Sequence, residues 1–188
     1  DDVESRGLGD VYKRQELKKN SVDVQNAYTD NYTDYLDTIP HLFYYNAFLM
    51  LSNGTEAKVG TLGSKYEFFH EWKRLSEQEE GNVALETMLR GICKKDNFLD
   101  LLENFISFDH SDGETVKILA RNHQYLGVNE AVKAYEARKL NNGKLGVFWH
   151  TQGSGKSYSM VFLSQKIRRK FAGSPTIVIL TDRDELNT

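Results

Sequence analysis

The spacing of apolar residues changes along the chain, and each change marks an element. Leu85, Met88, Leu89, Ile92 and Cys93 recur at three- and four-residue intervals, as do Phe98, Leu101, Leu102, Phe105 and Ile106. That spacing predicts two amphipathic helices, with Cys93 packed on the apolar stripe of the first. Upstream, a helical stretch rich in Tyr, Asn and Asp ends at Ile39-Pro40, because a proline turns its predecessor away from the helical region. The aromatic and apolar run His41–Ser52, then Asn53-Gly54 and Ala57–Leu62, predicts a β-hairpin. A polar loop with Gly113, Asp109–Glu114, is the expected domain boundary. Beyond it, Val116–Leu140 reads as a helix stopped by Asn141-Asn142-Gly143. Leu145–Trp149 and Thr176–Leu180 are short continuous apolar runs, expected as strands covered on both faces. Between them lie a glycine-rich loop and a helix with a stripe of Met160, Leu163, Ile167 and Phe171, ended by Gly173-Ser174-Pro175. Strand, loop, helix and strand compose a βαβ unit with a right-handed crossover.

Asp1–Gln15 follows neither period. The string Glu4–Gln15 resembles the in-frame translation of a transposase adapter used in sequencing libraries, so residues 1–15 are read as a sequencing scar. The natural sequence then starts at Glu16, and the chain is expected to be a fragment.

Composition narrows the class. The 188 residues are 39% apolar with 14 Gly and 2 Pro, enough for a packed core and too few prolines for a low-complexity stalk. A single cysteine excludes a disulfide framework and a cysteine-based zinc site, and fits a reducing cytoplasm. The longest near-apolar run, Leu42–Leu51, is far short of the ~20 residues a membrane helix needs. The net charge of −3 hides a segregation: residues 1–120 carry 13 basic and 22 acidic side chains, residues 121–170 carry 10 and 2. Such a basic block suits a polyanion, although a solvated helix face is the simpler reading of charge alone.

The sharpest chemical signal is His150-Thr151-Gln152-Gly153-Ser154-Gly155-Lys156-Ser157. It fits the spacing of a Walker A loop except for His at the first position. Five placed residues of this kind arise by chance in such a chain with a probability on the order of one per cent. A strand before and a helix after are the required context. Glycines let backbone N–H groups converge on phosphate oxygens, and the helix adds its positive end. Lys156 is placed to reach the β- and γ-phosphates of ATP and the Ser157 hydroxyl to ligate magnesium.

The residues around the loop choose among the many users of such loops. Gln124, within Arg121-Asn122-His123-Gln124-Tyr125, stands 32 residues before Lys156, and Thr181-Asp182-Arg183-Asp184-Glu185-Leu186 follows the second apolar run. This combination, with Trp149–Ser157, closely resembles the R subunit of type I restriction enzymes. The likeness extends back through Phe43-Tyr44-Tyr45-Asn46 and Ser52-Asn53-Gly54, and so covers nearly all of residues 16–188. It implies a superfamily-two helicase motor in which Gln124 reads adenine and Asp182–Leu186 lies near the DNA track. His at the first loop position is that family's habit.

The resemblance also implies a PD-(D/E)xK nuclease at the N-terminal side, with Glu16 and Lys18 of Glu16-Leu17-Lys18 as its magnesium-binding carboxylate and its lysine. The triplet itself is unspecific, since Glu56-Ala57-Lys58 and Glu71-Trp72-Lys73 match it equally. An upstream metal-binding Asp has no candidate outside the suspected scar. The family's Gln-x-x-x-Tyr helix is met only by Asn31 and Tyr35.

The expected fold is therefore α/β: the back of a nuclease domain at 16–110, then the first βαβ unit of a RecA-like P-loop ATPase domain at 115–188. The implied activity is ATP- and magnesium-dependent translocation on double-stranded DNA, with cleavage, as one subunit beside methyltransferase and specificity subunits. Two other readings stay open: a translocase with an inactive nuclease domain, and a non-motor nucleotide-binding module. The chain itself is expected to be inactive and prone to aggregate.

Overall fold

The computed structural model describes residues 21–82, 84–110, 113 and 115–180. They form two compact units that divide between Gly127 and Val128.

The first unit opens with a nearly unbroken helical stretch: α1 (Val24–Asn26), a π-helical segment (Ala27–Tyr32) and α2 (Thr33–Thr38). Asp23 caps it, its carboxylate accepting the Gln25 N–H at 2.8 Å. The hydroxyls of Thr29, Thr33 and Thr38 donate back to the carbonyls of Gln25, Thr29 and Asp34. Such back-bonding loosens a helix, and here it accompanies the wide π turn. Tyr28 and Tyr32 come to lie 5.2 Å apart between ring centroids, with Phe69 and Phe43 tilted against them. As expected, the helix stops before Pro40, and Pro40–Phe43 forms a 3-10 turn.

The expected hairpin is present: β1 (Leu49–Ser52) pairs antiparallel with β2 (Ala57–Gly60), Leu49 opposite Gly60 and Ser52 opposite Ala57. Its connection is built on Asn53, whose Oδ1 accepts the N–H groups of Thr55 and Glu56 while Gly54 takes φ 93°. The Asn53 amide also donates to the Val22 carbonyl at 2.9 Å, tying the turn to the approach of α1. Val24, Leu51 and Phe69 are buried together above this sheet.

Helices α3 (Leu85–Ile92) and α4 (Lys95–Asn104) follow as the apolar spacing requires. Two details differ. Cys93 is the exposed C-cap residue of α3 and not part of its buried stripe, which consists of Met88, Gly91 and Ile92. Phe105 caps α4, and Ile106 begins β3 (Ile106–Asp109), which pairs antiparallel with β4 (Val116–Leu119). The helix expected over Val116–Leu140 is thus a strand, then α5 (Asn122–Glu136), then a 3-10 turn (Ala137–Lys139). Cross-strand hydrogen bonds outweigh the local helical spacing at 116–119. β3 and β4 flank residues 110–115, and the two compact units divide within α5.

Buried Asn122 locks the start of α5. Its Oδ1 accepts the N–H groups of Lys73 and Arg74, and its Nδ2 donates to the Arg74 carbonyl. Trp72 beside it is 1% exposed and packs on Tyr125.

The second unit consists of the end of α5, α6 (Lys156–Lys170) and their flanking segments. Val128 and Val132 on α5 and Phe162 and Ile167 on α6 are its buried apolar residues. Tyr135 meets Phe171 at 4.8 Å between ring centroids, and buried Lys166 donates to the Asn129 side chain. The face of α6 that is buried carries Ser159, Phe162, Lys166 and Ile167, so Ile167 of the expected stripe is buried and Met160 is exposed.

The parallel sheet expected from the two apolar runs is not formed among the described residues. Leu145–Trp149 and 176–180 are not assigned to any strand, and Val147 and Leu180 are each 93% exposed. A strand of this kind needs neighbours on both edges and helices over both faces, and the described part of this unit offers only α5 and α6. The architecture is mixed: helices with two small antiparallel hairpins.

Candidate nucleotide-binding site

The loop at 150–155 leads directly into α6, so its backbone delivers the chain to a helix N-terminus. Gly153 has φ 75° and Gly155, the N-cap, φ 79° with ψ 39°. Both are in the left-handed region, where a side chain costs roughly 1–2 kcal/mol. A Cβ on Gly153 would meet nothing within 4 Å, so backbone conformation and not crowding demands glycine there. A turn bonds the Ser154 N–H to the Thr151 carbonyl at 3.3 Å. Thr151, Gln152 and Gly153 are exposed, and Ser154 and Gly155 half-buried, at the mouth of the helix.

The Lys156 ammonium folds back over the loop, donating to the carbonyls of His150 and Thr151, each at 2.9 Å. These two bonds hold the loop in its bend and keep the charge at the place where an anion would enter. Ser157, on the first turn of α6, is exposed. By helix geometry the first-turn amides point off the N-terminus, adding a partial positive charge. The arrangement suits a phosphate chain with a divalent cation held by Ser157. His150 packs its ring edge-on to Phe148 at 4.6 Å. Among the described residues no three His, Cys, Asp or Glu side chains gather at metal-binding distance.

Gln124 lies in the first unit and is buried at 4% exposure. Its Oε1 accepts the Arg121 N–H at 2.8 Å, reaching back across the first turn of α5 as half of a capping box. Glu16, Lys18 and Asp182–Leu186 lie outside the described residues. The rival Glu-x-Lys triplets are engaged elsewhere: Lys58 sits over the Tyr66 ring at 4.4 Å, and Lys73 pairs with Glu71 at 2.8 Å. Asn31 and Tyr35 are half-buried, four residues apart on the first helical stretch.

A titrating group that the sequence did not single out is His70, bridged through its backbone to Val59. Burial pushes its imidazole down from 6.5 to about 4, helped by Arg121 and His123 and opposed by the carbonyls of Phe68 and Ala120. It is neutral at pH 7. Its local sequence does not announce this, because Ala120, Arg121 and His123 lie about 50 residues along the chain.

Residues 15–68 match the family described as the N terminus of type I restriction enzyme R proteins, and residues 123–188 match the SWI2/SNF2 ATPase family. The chain is 35% identical, over 94% of its length, to the type I restriction enzyme HindI endonuclease subunit of Haemophilus influenzae. Over nearly all of its length the chain is similar to type I restriction enzyme endonuclease subunits. A second relative is a subunit named MjaIXP of Methanocaldococcus jannaschii, 30% identical over 90% of the chain. The chain spans 18% of the length of either relative. The ATPase match begins inside α5 and contains the whole loop at 150–157, while the N-terminal match ends at the turn before Phe69.

Proposed function

We propose that this chain supplies the ATP-binding loop and part of the nuclease of a type I restriction endonuclease subunit. The protein would hydrolyse ATP to move along double-stranded DNA and cleave it, in company with methyltransferase and specificity subunits. The observation that carries this is the loop itself: two left-handed glycines, a lysine folded over its carbonyls and an exposed serine at one helix N-terminus. The names and matches of the relatives supply the reaction class.

Each residue has a role in that reading. The backbone of Thr151, Gln152, Gly153, Ser154 and Gly155 cradles the β-phosphate. Lys156 leaves the His150 and Thr151 carbonyls to neutralise charge on the β- and γ-phosphates. Ser157 holds magnesium, which when bound draws charge from the phosphate oxygens. Gln124 orders the start of α5 and, in this reading, presents its amide to adenine. Glu16 and Lys18 serve the nuclease, the carboxylate holding magnesium and the lysine positioning water. The domains 16–110 and 115–188 belong to the same proposal.

Lys156→Ala tests it. Binding of a fluorescent ATP analogue with magnesium should fall at least tenfold while the circular dichroism spectrum is kept. Undiminished nucleotide binding by a folded Lys156→Ala variant would remove the basis of this reading.

A further inference from the structure

We infer that the far end of α6 and the 3-10 turn after α5 form a second anion-binding surface, which contacts the phosphate backbone of duplex DNA. The inference rests on the proposed function for its choice of DNA. Its geometry is independent of the phosphate loop.

The last turn of α6 carries Arg168, Arg169 and Lys170, all exposed. Cations there complement the negative helix end, worth about 0.3–1 kcal/mol, and that alone would need no ligand. The fold adds more. Arg138, from the turn Ala137–Lys139, is brought to Phe171 at the end of that helix, and Lys139 is its neighbour in the chain. Tyr135 packs on Phe171 at 4.8 Å, and the Arg138 guanidinium lies 4.0 Å over Tyr135 and 6.0 Å from Phe171. Glu136, the acid at this junction, is taken up by Lys170 at 2.8 Å. Arg138, Lys139, Arg168 and Arg169 are left as a like-charged group without an acid among these contacts.

Three features favour a phosphate backbone. Three of the four remaining cations are arginines, whose planar forks grip phosphate in two places. Arg138 is already ordered, its Nη1 donating to the Tyr135 carbonyl at 2.8 Å, so less freedom is lost on binding. The rings of Tyr135 and Phe171 are occupied by each other and by Arg138, which leaves them unsuited to stacking on unpaired bases. A duplex, which presents phosphates and hides its bases, fits such a surface. The fifteen residues of α6 separate this surface from the phosphate loop by about 22 Å at 1.5 Å per residue. One helix would therefore hold nucleotide at its start and DNA at its end.

The test is anisotropy titration of a labelled duplex of ~20 base pairs with the 188-residue chain at several salt concentrations. The variant Lys139→Gln/Arg168→Gln/Arg169→Gln should bind at least tenfold more weakly. Its plot of log affinity against log salt should be shallower by about 3, near 0.9 per lost phosphate contact. Arg168→Lys/Arg169→Lys should restore most of the affinity. The control Lys94→Gln/Lys95→Gln, on the first unit, should change little. No duplex binding by the unaltered chain, an equal loss in the control, or an unchanged salt slope would overturn the inference. So would displacement by poly-glutamate as effective as by DNA, which would point to an acidic protein. Nucleotide binding measured in parallel separates the two claims: the triple variant should keep it, and Lys156→Ala should lose it while retaining DNA. Loss of DNA alone in Lys156→Ala would overturn the separate surface.

Discussion

Single residues in this chain are decided by close approach and by hydrogen bonds that nothing else can replace. Gly91 lies under Trp72, and a Cβ there would stand 2.1 Å from the indole Nε1. Gly91→Ala must displace a fully buried ring, so a loss of about 1–3 kcal/mol is expected in urea denaturation. Asn122 satisfies two N–H groups and a carbonyl at 73–74 from one buried side chain. Asn122→Ala leaves them unpaired and should cost on the order of 3 kcal/mol, read as a lower urea midpoint. His70 makes a pH-dependent contribution. Its folded pKa of about 4 lies below the unfolded 6.5, so the unfolded state binds more protons between those values. The stability it contributes is complete above pH 6.5 and lost as pH falls toward 4. Replacing it by Leu should flatten the stability profile between pH 6.5 and 4; an unchanged slope there would exclude His70 as its source.

At the scale of elements, the start of α6 is the clearest case of sequence writing geometry. Gly155 must turn left-handed for the loop to enter the helix, and no other residue type does so cheaply. Gly155→Val should lower affinity for the ATP analogue at least tenfold, with α6 retained in the circular dichroism spectrum. Other elements were legible in part. The hairpin of β1 and β2 followed from Asn53-Gly54, because turn chemistry is local. The hairpin of β3 and β4 did not, since Ile106 and Val116 fit a helical stripe until their partners across the ladder are known. The π turn at Ala27–Tyr32 left only an indirect trace in the sequence, three threonines able to bond the preceding turn.

Over the whole molecule the exposed apolar runs are the dominant liability. Val147, Trp149, Val178 and Leu180 are 77–93% exposed on segments without strand partners. Unpaired backbone beside exposed apolar side chains invites association with other chains. Val147→Lys/Val178→Lys should reduce concentration-dependent light scattering several-fold while leaving nucleotide binding by Lys156 intact. In a longer protein carrying this chain, Lys18→Ala should block strand scission and leave DNA-stimulated ATP hydrolysis near its unaltered rate. A parallel fall of both in a folded variant would place Lys18 outside a separate nuclease site.

The sequence by itself determined what depends on neighbours along the chain. The glycine-rich turn into α6, the stop before Pro40, the Asn-Gly turn and the spacing of α3 and α4 all follow from backbone restrictions and periodicity within a few residues. The family likeness follows from the same local strings. Tertiary structure decided what depends on distant partners. It buried Ser159, Phe162 and Lys166 beside Ile167 on α6 and left Met160 exposed, and it brought Cys93 to the surface. It turned 116–119 from helix to strand, and it brought Arg138 to the Phe171 ring at the end of α6. Burial and pairing are properties of the neighbours an element finds, and a pattern along one segment specifies a face without specifying what will cover it.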